Sequence, residues 1–120
     1  MEDYQKLYDE FMQKYKQSET TPSQVGETLA RIAGFFPNYN MSLVKAERAY
    51  AIVHKNVALE TDDATGKAIS SAKAETIAEA AAEAGIFKEA KAHIENIEML
   101  VGSLKFLQKS LEVEYVNSNI

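Results

Sequence analysis

The chain has 120 residues, 46% of them apolar and 26% charged, and a formal net charge of −5. That is the size and composition of one soluble globular domain able to bury a real core. Cysteine is absent, which excludes disulfides, thiolate chemistry and cysteine-based metal sites, and the acidic balance argues against a broad duplex-DNA footprint.

No run of Val, Ile, Thr and aromatic residues alternates with period two between turn residues, so an all-α bundle of about five helices is expected. No apolar run approaches the ~20 residues of a membrane span, and no membrane partner is expected. The opening MEDYQKLYDE is acidic and amphipathic, unlike a signal peptide. The first helix is expected over residues 2–17. Tyr4, Leu7, Tyr8, Phe11, Met12 and Tyr15 recur at three and four residues and give it one apolar face. A polar stretch from Gln17 to Thr21 follows, so this helix can stand detached from a bundle spanning 22–116, within a single domain 1–120.

Thr21-Pro22-Ser23-Gln24 predicts the second helix: Thr21 caps, Pro22 suits the first position and Gln24 completes a capping box. Its face is Val25, Leu29, Ile32 and Phe36, and Pro37 predicts its end. Asn40 then predicts a cap for a third helix from Met41 to Leu59, whose face is Leu43, Ala46, Tyr50, Val53 and Val57. Glu60 to Ala68 is a polar turn region containing Gly66. The alanine-rich stretch Ser71–Ala84 predicts a fourth helix stopped by Gly85. Along it Glu75, Glu79 and Glu83 step by four and form one solvated edge. The residues Asn117 to Ile120 are expected to fray.

The fifth helix, 86 to about 116, is some 45 Å long at 1.5 Å per residue. Phe87, Ala90, Ile94, Ile97, Val101, Leu104, Gln108, Leu111 and Tyr115 alternate at three and four, the spacing of coiled-coil-like packing. Ile86, His93, Leu100 and Leu107 widen this seam. A second stripe, Met99, Phe106 and Val113, lies on the far side. Two coverings are open for it: another helix of the same chain, with the first helix the obvious candidate, or another subunit. Gly102 and Ser103 border that stripe, and a glycine in mid-helix costs about 1 kcal/mol relative to alanine. The pair would let another helix cross closely, so Met99, Gly102, Phe106 and Val113 are the expected oligomer interface. Lys91, Glu98, Lys105 and Glu112 alternate in sign beside the seam. Gln108 either fixes register at its seam position or sits near a fraying end. The long third and fifth helices are expected to pack antiparallel.

Chemistry-bearing residues are sparse. Lys45, Arg48 and Lys55 on the third helix, with Lys67 and Lys73 near the loop, are the candidate phosphate contacts. Against them, Arg31 and Arg48 are the only arginines, and arginine is the preferred fork for phosphate. Gly66-Lys67 lacks the earlier glycine and strand of a phosphate loop. Glu89 and His93 are four apart and form no di-iron motif. No catalytic residues, metal site or cofactor are expected, and the chain is read as a non-enzyme.

The layout resembles small all-helical phage and prophage proteins, and specifically UvsY-like recombination mediators. The likeness covers Pro22 to Tyr115. It rests on Lys45-Ala46-Glu47-Arg48, a polar excursion, Ile69-Ser70-Ser71-Ala72-Lys73 opening a short helix, and Val101-Gly102-Ser103-Leu104 midway along a long final one. At His54-Lys55-Asn56 the chain lacks the richer basic run of the mediators. The resemblance implies a homo-oligomeric accessory protein of the host cytoplasm that holds single-stranded DNA or a recombination or replication protein. The rival expectation is an acidic inhibitor or adaptor that presents Glu75, Glu79 and Glu83 to a host nucleic-acid-processing or defence protein.

Overall fold

The computed structural model describes residues 3–118. They form an all-α protein of five helices in chain order: α1 (Asp3–Gln17), α2 (Pro22–Ala33), α3 (Phe36–Ala58), α4 (Ser71–Glu79) and α5 (Ala82–Ser118). Among the described residues the only extended pairing is one isolated antiparallel bridge, Thr61 with Ala68. No described helix is long and apolar enough to cross a membrane. Met1, Glu2, Asn119 and Ile120, where helix onset and a frayed tail were expected, lie outside the described residues.

The chain clusters into two compact units, residues 1–37 with 94–120, and residues 38–93. In the first, α1 packs with α2. Tyr4 and Phe11 are buried from α1, Val25 and Ile32 from α2, and Ile94, Ile97, Leu100 and Leu104 from α5. Tyr4 meets Phe35 edge-on, with ring centroids 6.3 Å apart. The capping box of α2 forms as expected: the Gln24 amide donates to Thr21 Oγ1 at 3.2 Å, and the Thr21 amide donates to Gln24 Oε1 at 2.9 Å.

Two expected boundaries move. The second helix ends at Ala33 rather than before Pro37, and α3 begins at Phe36 with Pro37 in its first turn. A first turn has amides without intrahelical partners, so the missing N–H of Pro37 costs nothing there. The proline therefore starts a helix instead of ending one. Asn40 accordingly lies inside α3 and caps nothing.

In the second unit, Tyr39 stacks obliquely on His93 with centroids 5.0 Å apart, and Tyr50 meets Phe87 edge-on at 5.6 Å. Early α3 thus meets later α5 and late α3 meets earlier α5, so the two run antiparallel as expected. The inward face of α3 is also as expected, with Ala46 and Val57 buried and Leu43, Tyr50 and Val53 half-buried.

The Glu60–Ala68 turn is a small hairpin built on Asp62. The Asp62 amide donates to the Lys67 carbonyl, and the Gly66 amide donates to the Asp62 carbonyl, both at 2.7 Å. Gly66 has φ +68°, the left-handed region that favours glycine.

A third boundary also differs. The break between α4 and α5 falls at Ala80–Ala81, not at Gly85. A single helix would set Ala78 and Ala84 about 120° apart at about 100° per residue. The break re-phases the chain, and both are buried. Gly85 has no left-handed φ and continues helically in the first turn of α5.

Candidate interaction faces

The long helix α5 buries the expected seam. Ala90, Ile94, Ile97 and Leu104 are buried, and Phe87, Val101, Gln108 and Leu111 are half-buried. Leu100 is buried, and His93 and Leu107 are half-buried, as the widened stripe requires. Ile86 and Tyr115 depart from it, being 57% and 50% exposed. Gln108 does not sit in a frayed end. Its Nε2 donates to the Pro22 carbonyl at 3.1 Å, joining α5 to the start of α2. Gly26 makes room for it, since a Cβ there would lie 2.7 Å from Gln108 Nε2.

The far stripe is open to solvent: Met99 is 62% exposed, Phe106 76% and Val113 54%. Among the described residues no helix covers it, and α1 packs with α2. Gly102 lies between Met99 and Phe106, and a Cβ built there meets nothing within 4 Å. Packing within the chain therefore does not require a glycine at this place. The charged residues Glu98, Lys105, Lys109 and Glu112 lie along one flank of the stripe at about 100° per residue, Glu95 lies at the stripe's edge on that side in line with Val113, and all are exposed. The opposite flank carries the uncharged Asn96, Ser103 and Ser110 along the stripe, with the exposed Glu114 further on, in line with Asn96.

A second outward stripe runs along α3, which the sequence reading missed. Met41, Val44, Arg48, Ile52 and Lys55, with Leu59 directly after the helix, are all exposed. Spacings of three and four place them within an arc of about 80°, opposite the buried face. Lys45 lies beside this arc and Glu47 far round from it. The stripe combines four large aliphatic side chains with two cations, Arg48 and Lys55, and no acid, with Lys45 at its edge. Its signal was present in the sequence as a second three-and-four repeat, hidden because two of its six positions are basic.

The structure thus brings together three of the five candidate phosphate contacts, Lys45, Arg48 and Lys55. Among the described residues these three have no ion-pair partner. Lys73 is differently placed: its Nζ lies 3.1 Å from Asp62 Oδ1, and its amide donates to Ser70 Oγ, the cap of α4. The same Asp62 oxygen accepts from the Ala64 amide at 2.9 Å. These hydrogen bonds from Ala64 and then Lys73, with the attraction of the Lys73 charge, hold the Asp62 carboxyl below its ordinary value. Lys67 is exposed in the hairpin turn and gives its carbonyl to the Asp62 amide.

The acidic edge is not continuous. Glu75 and Glu79 belong to α4, while Glu83 lies beyond the break, half-buried in α5. Of the two histidines, His93 is half-buried against Tyr39, with Nε2 3.8 Å from Glu89 Oε1, and His54 stacks on Tyr50 at 4.6 Å. Among the described residues no three His, Asp or Glu side chains gather as metal ligands. A hollow where the Tyr15–Thr21 segment faces Leu111, Glu114 and Tyr115 measures about 630 Å³ and opens widely to solvent.

Compared with known protein families, curated proteins and solved structures, the chain finds no match.

Proposed function

We propose that this chain is a non-enzymatic accessory protein that assembles with itself and grips a partner protein along α3, in a replication or recombination setting of the phage type. One observation carries the reading: each of the two long helices keeps a second apolar stripe in solvent after its first has been buried. An exposed large aliphatic or aromatic side chain forgoes roughly 1.5–3 kcal/mol of burial. Such stripes rimmed by polar residues mark interaction surfaces. The layout resemblance to recombination mediators supports the setting, and the host cytoplasm goes with it.

Of the two expected partners, single-stranded DNA and a recombination or replication protein, the α3 face favours the protein. Strand binding without sequence preference uses aromatic platforms for bases, about 1–3 kcal/mol for each stacked base. The α3 stripe holds none. Met41, Val44, Ile52 and Leu59 around Arg48 and Lys55 instead suit an amphipathic helix with carboxylates opposite the two cations.

Two measurements test the reading. Light scattering on the intact chain should give a multiple of 13.3 kDa, and Met99→Ser with Phe106→Ser should reduce it to the single-chain mass. A labelled helical peptide with Leu and Glu at helical spacing should bind, and Arg48→Glu with Lys55→Glu should abolish the binding. Salt-dependent binding of fluorescent single-stranded DNA in place of the peptide would transfer the α3 face to nucleic acid. A monomer that binds neither would end the proposal.

A further inference from the structure

The far side of α5 carries information about direction as well as contact. Glu95 and Glu98 precede Gly102, and Lys105 and Lys109 follow it, and all four lie on the Gly102 side of Met99. In an antiparallel helix pair, like flanks of the two helices meet; in a parallel pair, opposite flanks meet. A two-fold axis at Gly102 would therefore set Glu98 beside Lys105 of the second copy and Glu95 beside its Lys109, each pair occurring twice. A parallel pair would set Glu95, Glu98 and Lys105 against Asn96, Ser103 and Ser110, which offer no countercharge, and would leave Glu114 as the one acid facing Lys109.

The apolar residues agree with the same axis. Met99 and Phe106 lie three and four residues either side of Gly102, so each copy's Met99 would pack beside Phe106 of the other. Gly102 would sit at the crossing, where a missing Cβ permits close approach. The glycine is otherwise unexplained, since its surroundings within the chain are open and it costs helix stability. The seven-residue repeat of Met99, Phe106 and Val113 fits left-handed supercoiling against a partner helix.

We infer that a second copy of this chain covers the far stripe of α5 in antiparallel orientation, with Gly102 at the two-fold axis and Glu95 and Glu98 paired to Lys109 and Lys105 across it. This deepens the self-assembly part of the proposed function and rests on it.

The absence of cysteine makes the test direct. Ser103→Cys and Val113→Cys are made separately in the full chain and mildly oxidised. Antiparallel pairing puts Cys at 103 next to its counterpart, while Val113 lies eleven residues from the axis, so the two copies' residues are about 33 Å apart along the helices. A disulfide needs Cα atoms within about 7 Å. The expected result is a covalent dimer for Ser103→Cys and none for Val113→Cys. Covalent dimers from both variants would overturn the orientation while leaving self-assembly intact. A single-chain mass by light scattering, with no crosslinking in either variant, would overturn both.

Charge reversal gives a second reading independent of cysteine. Lys105→Glu with Lys109→Glu should weaken the dimer by at least about tenfold, as four favourable pairs become repulsive. Adding Glu95→Lys and Glu98→Lys should restore it. Because all four side chains are exposed, the helix content of these variants by circular dichroism should be unchanged. Failure of the fourfold variant to recover dimerisation would overturn the pairing.

Discussion

The two compact units of this protein are built from different material. Residues 1–37 and 94–120 bury Tyr4, Phe11, Val25, Ile32, Ile94, Ile97, Leu100 and Leu104, each large or branched. Residues 38–93 bury Ala46, Ala74, Ala78, Ala84 and Ala90, with Val57 the one larger side chain. Large side chains draw on the hydrophobic effect, at about 0.8 kcal/mol per buried CH₂. Alanines contribute little of that and instead let helix backbones approach closely. The second unit compensates with local devices: the Asp62 hairpin, the Ser70 cap and the aromatic contacts of Tyr39 and Tyr50. One region is held by the volume of its core, the other by its closeness and its hydrogen bonds.

The contrast can be broken by reversing the volumes. Leu104→Ala or Ile97→Ala, at positions 1% exposed, should destabilise the protein by about 2–5 kcal/mol, read as a lower urea midpoint. In the second unit the damaging change runs the other way. Ala78→Leu should cost about 1–3 kcal/mol by overpacking, measured by thermal unfolding. A neutral outcome there would mean that the alanine-lined contact is loose and that the contrast is false.

Smaller effects sharpen it. Thr21→Ala removes the capping-box acceptor of α2 and should lower stability by about 1 kcal/mol in denaturant titration. Gly26→Ala should come out near zero. The gain in helix propensity, about 1 kcal/mol, offsets loss of the Gln108–Pro22 hydrogen bond, about 0.5–1.5 kcal/mol. Asp62 has a lowered folded-state pKa, so its contribution is complete above the unfolded aspartate value of about 3.9. It is lost as pH falls through the lowered value. Amide exchange at Ala64 and Gly66 should accelerate over that acidic range, and Asp62→Asn should show fast exchange at neutral pH as well.

Much of this was legible in the sequence where one local rule acted alone. Thr21 to Gln24 specify a cap through their own side chains, and the α5 seam declares its buried face by spacing. The boundaries failed where two rules competed. Pro37 is read as a stop, yet a proline in a first turn is equally good physics, and only the chain path decides. Gly85 was overruled because inward phasing of Ala78 and Ala84 required the break earlier. The hydrogen bond from Gln108 to Pro22 spans 86 positions, and no local pattern predicts it. The α3 outer stripe was hidden by its composition, because Arg48 and Lys55 interrupt the apolar repeat that would reveal it. Lys45, Arg48 and Lys55 share the outward side of α3 by their spacing alone, while the withdrawal of Lys73 into an ion pair depended on where the hairpin placed Asp62.

The chain order of the two units bears on synthesis. Residues 38–93 are contiguous, so that body has all its parts once α4 and the opening of α5 have left the ribosome. The other body joins Tyr4 and Ile32 to residues as late as Leu104. Domains tend to form as their segments emerge, and here α1 and α2 must await the later part of α5. Until then α1 and α2 carry uncovered Tyr, Phe, Val and Ile side chains. A nascent chain halted near residue 93 should therefore be the form most readily captured by chaperones.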